Sequence, residues 1–160
     1  MLTRRTALSG LAAIASTNLL QGAPARAAQE DHVAYSDAEW RSRLTANQYA
    51  ILREDGTEPP FTSPLLHEKR KGIFACVGCA NDLFSSATKF DSGTGWPSFW
   101  APLDNAVNTH ADRSYGMART AVTCRRCDGH LGHVFDDGPK PTGLRYCMNG
   151  LALTFKPATA

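Results

Sequence analysis

Two hydrophobic patterns divide the chain. Trp40, Leu44, Tyr49 and Leu52 recur at helical spacing, and Ser36-Asp37-Ala38-Glu39 ahead of them is a capping-box sequence. This predicts one or two short amphipathic helices between about residues 37 and 53. The stretch 56–64 contains Pro59, Pro60 and Pro64. Proline has no backbone N–H to give to a helix, so an extended arm is expected there. From Gly72 onward the period shortens: apolar runs at 73–76, 82–84, 122–124, 133–135 and 151–155 are separated by Gly, Pro, Asn and Asp. Short runs bounded by turn residues predict strands. The fold class is therefore mainly β, a small antiparallel domain with N-terminal helices lying against the sheet.

The first residues carry a different signal. Met1 to Arg5 is short and basic, Ala7 to Leu20 is apolar and uncharged, and Ala25-Arg26-Ala27 forms an A-x-A cleavage site. That is the pattern of a signal peptide over 1–27, too short and too rich in small residues to anchor in a bilayer. Arg4-Arg5 within Thr3-Arg4-Arg5-Thr6-Ala7-Leu8 resembles the twin-arginine export signal. The expectation is export to a bacterial periplasm and a single domain over 28–160. Removing the leader also removes three arginines and no acid, leaving 14 basic against 15 acidic residues. A nearly neutral domain gives no electrostatic reason for nucleic-acid binding.

Candidate chemistry lies in the five cysteines. Cys76 with Cys79 and Cys124 with Cys127 form two Cys-X-X-Cys pairs, each following an apolar run and ending in turn-favouring residues. Two such knuckles can face each other and hold one tetrahedral zinc in a closed, structural site. The 44 residues between the pairs make the metal a tie between two hairpins. Two disulfides or a redox pair are the alternatives, although neither pair has the helix N-terminus of a thioredoxin-like motif.

Cys147 belongs to no pair and is free to react. Arg145 and Asn149 alternate with it, so in a strand all three share a side; the arginine would favour a thiolate and the amide offers donors. His130 and His133 supply imidazoles able to relay protons. Gly93 and Gly95 allow a sharp turn that presents Trp96, whose aromatic face suits a small apolar group such as a methyl. Each signal alone has an ordinary structural reading: a core cysteine, surface histidines, a core tryptophan.

Taken in order, these segments resemble the methionine sulfoxide reductases of type B. The resemblance rests on Cys76 and Gly78-Cys79, on the run from Lys89 to Phe99, on Cys124-Arg125-Arg126-Cys127, on Gly129-His130-Leu131-Gly132-His133-Val134-Phe135, and on Arg145-Tyr146-Cys147-Met148-Asn149-Gly150. It implies two antiparallel sheets with peripheral helices, a structural zinc on the four paired cysteines, and reduction of the R epimer of methionine sulfoxide, free or in proteins. It further implies that Cys147 attacks the sulfoxide sulfur and becomes a sulfenic acid. His130, His133, Asn149 and Arg145 would serve that step, with Trp96 and Phe99 against the substrate. Many type B enzymes carry a resolving cysteine where this chain has Thr94, so recycling should need an outside thiol, thioredoxin-like or small. Two other readings remain open: a non-catalytic zinc-stabilised binding module, and a zinc hydrolase using His130 and His133 as ligands.

Overall fold

Capping residues set both helices where the periodicity puts them. In a computed structural model that describes residues 32–159, helix α1 spans Asp37–Arg43 and α2 spans Ala46–Glu54. Ser36 Oγ accepts from the Glu39 N–H while the Glu39 carboxylate accepts from the Ser36 N–H, and Thr45 and Gln48 repeat the exchange for α2. Each reciprocal pair satisfies two otherwise orphaned donors. The signal peptide read at 1–27 lies outside the described residues.

Among the described residues nine strands follow: β1 (Gly72–Cys76), β2 (Asp82–Ser85), β3 (Lys89–Phe90), β4 (Ser98–Phe99), β5 (Val107–Asp112), β6 (Arg119–Cys124), β7 (His130–Phe135), β8 (Arg145–Met148) and β9 (Leu153–Pro157). They form a three-stranded sheet, β2-β1-β9, and a six-stranded sheet, β3-β4-β8-β7-β6-β5, with every pairing antiparallel. The run predicted as one strand over 151–155 divides. Gly150–Ala152 is a 3-10 turn, and pairing with β1 begins only at Leu153. Strands β3, β4 and β5 lack the apolar run that marks a strand in sequence. In β5, an edge strand, four of six residues are exposed, so its composition is polar.

The two sheets meet through aromatic rings. Phe74 of β1 and Phe84 of β2 both contact Phe99 of β4, the first edge-on at 5.0 Å between centroids and the second stacked at 4.4 Å. All three are fully buried. Trp40, Tyr49, Ile51 and Leu52 add the inner faces of the helices to this core.

One close approach fixes the middle of the larger sheet. Gly132 of β7 lies opposite Met148 of β8, and a Cβ there would sit 2.2 Å from the Cys147 carbonyl oxygen and 3.0 Å from Met148 Cα. Both obstacles are backbone, so no side chain can swing away. Gly132→Ala is expected to destabilise the fold by about 2 kcal/mol or more, read as a lower urea midpoint at unchanged slope.

Candidate functional site

The two cysteine knuckles are built alike. Cys76 ends β1 and Cys124 ends β6, and four residues beyond each first cysteine the chain turns through positive φ, at Ala80 (55–60° region, φ 59) and Asp128 (φ 55). The Ala80 N–H donates to the Cys76 carbonyl (2.9 Å) and the Asp128 N–H to that of Cys124 (2.8 Å). Gly78 and Gly129 leave room for Leu52, whose Cδ2 lies 2.9 Å and 3.0 Å from where their Cβ atoms would stand. All five cysteines are free thiols. The Cys76 and Cys127 sulfurs are 3.7 Å apart, those of Cys79 and Cys124 3.5 Å, and all four lie within 4.8 Å of one another. Thiolates ~2.3 Å from a tetrahedral zinc would stand ~3.8 Å apart, whereas a disulfide needs ~2.05 Å. The four cysteines therefore fit a shared metal ion and do not fit two disulfides. Among the described residues no second group of three or more His, Cys, Asp or Glu ligand atoms gathers in this way, so His130 and His133 have no companions for a hydrolytic metal.

Sheet register assembles the second site. One rung runs Ser98, Cys147, His133, Ala121, His110 across β4, β8, β7, β6 and β5. Directly paired residues project to the same face, so the thiol and the His133 imidazole meet although 14 residues separate them. Two residues along the same face come Arg145, paired with Phe135, and Arg119, paired with Asp112. A cavity of about 190 Å³ is lined by Cys147, Trp96, His133, Arg119, Phe135 and Asn149. Its walls are aromatic on one part and hydrogen-bonding on another. Trp96 is held by its indole N–H, which donates to the Glu58 carbonyl at 3.1 Å.

Each polar group here has a distinct setting. The Asp112 carboxylate accepts from the Ser114 N–H (2.8 Å), His133 Nε2 (2.8 Å) and Arg119 Nη2 (2.7 Å). Those bonds, led by Ser114, hold its pKa well below the usual carboxylate range. With Nε2 committed to Asp112, His133 has Nδ1 left for a second hydrogen bond. Arg119 Nε is buried without a partner. Arg145 chelates Asp137 through Nε and Nη2, both at 2.8 Å, and lies 4.4 Å over the Phe135 ring. Asp137 chiefly, and Cys147 in addition, raise the pKa of that guanidinium. Asn149 is buried and anchored twice: Oδ1 accepts from the Glu58 N–H (3.0 Å) and Nδ2 donates to the Leu131 carbonyl (3.2 Å). One amide hydrogen is left over.

Two expected site residues stand elsewhere. Phe99 is fully buried in the ring cluster between the sheets and does not line the cavity, which corrects its expected contact with substrate. His130 lies behind His133, 5.2 Å ring to ring, and borders not the Cys147 cavity but a second one of about 340 Å³, which it shares with Asp55, His110, Asp112 and the far side of His133. It is 3 % exposed, and its Nε2 has no partner. Burial first, and the neighbouring His133 second, push its pKa down to about 4. It is therefore neutral near pH 7 and does not carry a proton to Cys147 from within the cavity.

Three residues outside the expected set matter to the site. Asp112 holds both His133 and Arg119, and the buried Glu58 carboxylate accepts from the Gly150 and Leu151 N–H groups at 2.6 and 2.9 Å. The alternation His110, Asp112 along one strand was a usable signal for Asp112. A lone acid among prolines carries none for Glu58.

The His130 shift has a measurable consequence. The unfolded chain binds this proton near pH 6.5 and the folded chain only near pH 4, so the associated stability is present above pH 6.5 and is lost as pH falls towards 4. The loss is on the order of 3 kcal/mol. Urea midpoints taken between pH 7 and 4 should fall, and His130→Phe should flatten that slope.

Residues 44–157 match the SelR domain family. The chain is 55 % identical over 123 residues to a protein of Agrobacterium fabrum named peptide methionine sulfoxide reductase MsrB, covering 76 % of this chain and 91 % of the relative. A protein of the same name from Pseudomonas putida strain W619 is 58 % identical over 120 residues, 74 % of this chain and 90 % of the relative. One from Methanosarcina mazei is 51 % identical over 127 residues, 79 % of this chain and 91 % of the relative.

Proposed function

Because this chain belongs to the SelR-domain family of peptide methionine sulfoxide reductases of type B, we propose that it reduces the R epimer of methionine sulfoxide, free or in oxidised proteins, through Cys147. The observation that carries this reading is the Cys147 thiol lining a small cavity whose other walls are Trp96 and the Asp112-held His133.

A sulfoxide sulfur bears an oxygen, a methyl, the side-chain methylene and a lone pair. An aromatic wall for the methyl and hydrogen-bonding groups for the oxygen fix one pose, which is why a site of this kind selects one epimer. The Cys147 thiolate attacks that sulfur. His133 supplies a proton to the departing oxygen, and Arg119 and the free Asn149 amide hydrogen stabilise the charge developing there. Arg145 brings a guanidinium two residues along the same strand from Cys147. Attack forms an S–S bond to the methionine sulfur as its S–O bond breaks and the protonated oxygen leaves as water; water then adds to the Cys147 sulfur, the S–S bond breaks, and methionine departs with the two electrons, leaving a sulfenic acid on Cys147 and returning a proton.

With the other four cysteines committed to the cluster, Cys147 has no thiol partner of its own, and Thr94 occupies the place of the family's resolving cysteine. One outside thiol then displaces water from the sulfenic acid to give a mixed disulfide, and a second releases the Cys147 thiol. The donor is a thioredoxin-like protein or a small thiol. Cys76, Cys79, Cys124 and Cys127 would hold a zinc ion, which would supply rigidity and not chemistry. The leader at 1–27 supports work in a bacterial periplasm, repairing proteins oxidised there.

With dithiothreitol as donor, the mature chain should consume the R epimer and leave the S epimer, and Cys147→Ser should abolish turnover. Failure of folded, metal-loaded protein to reduce either epimer would instead favour a non-catalytic zinc-stabilised binding module. Elemental analysis should give one zinc per chain, and Cys124→Ser should lose both the metal and cooperative unfolding. After one turnover without donor, dimedone should label Cys147 and thiol counting should find no internal disulfide.

A further inference from the structure

Three hydroxyls lead from the protein interior to the Cys147 sulfur. Ser98 is fully buried and stands across the ladder from Cys147. Its Oγ donates to the Trp96 carbonyl at 3.2 Å and lies 2.7 Å from Ser92 Oγ. Ser92 Oγ is 2.8 Å from Thr94 Oγ1 and accepts from the Thr94 N–H at 3.5 Å. Thr94 Oγ1 in turn lies 3.7 Å from Cys147 Sγ, hydrogen-bonding reach for sulfur. The loop can double back in this way because Gly93 adopts φ 70, with its N–H held by the Asp91 carboxylate at 3.0 Å.

We propose that Thr94, supported through Ser92 and Ser98, is a catalytic residue that hydrogen-bonds the Cys147 sulfur in both of its states, accepting from the thiol and donating to the thiolate. The argument is a count of hydrogens. Each hydroxyl donates one and accepts up to two. With Cys147 as a thiol, all four contacts are filled if the donors point inward, Cys147 to Thr94 to Ser92 to Ser98 to the Trp96 carbonyl. With Cys147 as a thiolate, the three hydroxyls rotate to point outward: Thr94 donates to sulfur, Ser92 and Ser98 supply the hydrogens behind it, and Ser98 gives up its bond to the Trp96 carbonyl. No heavy atom has to move. A hydroxyl with no relay behind it would also serve the thiolate, but Thr94 would then lack a donor of its own, and hydrogen bonds in a chain strengthen one another.

The charges facing Cys147 come from the other sides. Arg145 lies on its own strand with Asp137 upon it; His133 and Arg119, both on Asp112, come from β7 and β6, and His110 extends the rung on β5. Glu58, from the arm, is taken up by the Gly150 and Leu151 N–H groups, and Asp91 by that of Gly93. On the loop side, hydroxyls are what reach the sulfur.

This inference rests on Cys147 being the nucleophile, and its test does not require a sulfoxide. Iodoacetamide is reacted with the metal-loaded mature chain from pH 5 to 9, and modification of Cys147 is read from the mass of its peptide. Thr94→Val keeps the shape and removes the hydroxyl; it should slow alkylation at pH 7 roughly fivefold to tenfold and move the profile up by about one pH unit. Thr94→Ser should stay within about twofold of the parent chain. An unchanged profile for Thr94→Val, or an equal shift for Thr94→Ser, would overturn the proposal. Should Thr94→Val not fold, Ser92→Ala carries the same test: about twofold to threefold slowing is expected, and none would overturn it. Turnover of the R epimer, measured beside it, reports separately on the reductase reading.

Discussion

The register of the six-stranded sheet depends on where the chain is pinned at its cysteine knuckles. Cys124 closes β6, the knuckle turns through Asp128, and β7 begins at His130. Three residues later His133 stands opposite Cys147. Slippage by one residue would send every side chain of β7 to the other face, taking His133 away from the thiol. The partner knuckle closes β1, in the other sheet, so the same cluster of four sulfurs aligns the sheets with one another. Leu52 of α2, seated against both knuckle glycines, extends that alignment to the helices.

Glu58 performs the corresponding task on the other side of the cavity. Its backbone N–H reaches Asn149, its carbonyl holds Trp96, and its carboxylate takes the two N–H groups that follow β8. A buried carboxylate is tolerated when it is hydrogen-bonded in this way, and here the bonds link segments about 40 and 90 residues away. The 3-10 turn at Gly150–Ala152 follows from the same contact, which turns the chain away from extended geometry before β9 begins.

Local signals were legible in the sequence and long-range ones were not. The capping box at Ser36 and the knuckles depend on residues a few positions apart, and the structure contains both as read, whereas the strand of Arg145 and Cys147 ends at Met148, one residue before Asn149. Phe99 was misread because aromatic character fits a substrate wall and a core equally well; only its contacts with Phe74 and Phe84, from the other sheet, decide between them. His130 shares a motif with His133, yet only His133 reaches the cavity that Cys147 lines; both border the second one. Arg119 and Glu58 could not be singled out, since their importance lies in whom they meet across the ladder or the arm.

The hydrogen bond between Trp96 and Glu58 bears on how tightly so small a cavity can hold anything. A methyl sulfoxide group offers only a few heavy atoms, and even the best small ligands gain no more than about 1.5 kcal/mol for each. An indole free to turn about its two torsions would lose on the order of 1 kcal/mol on being ordered against such a ligand. Because Trp96 is already immobilised in the folded chain, that loss of freedom falls on folding and not on encounter. Nearly all of a weak contact is then left for recognition.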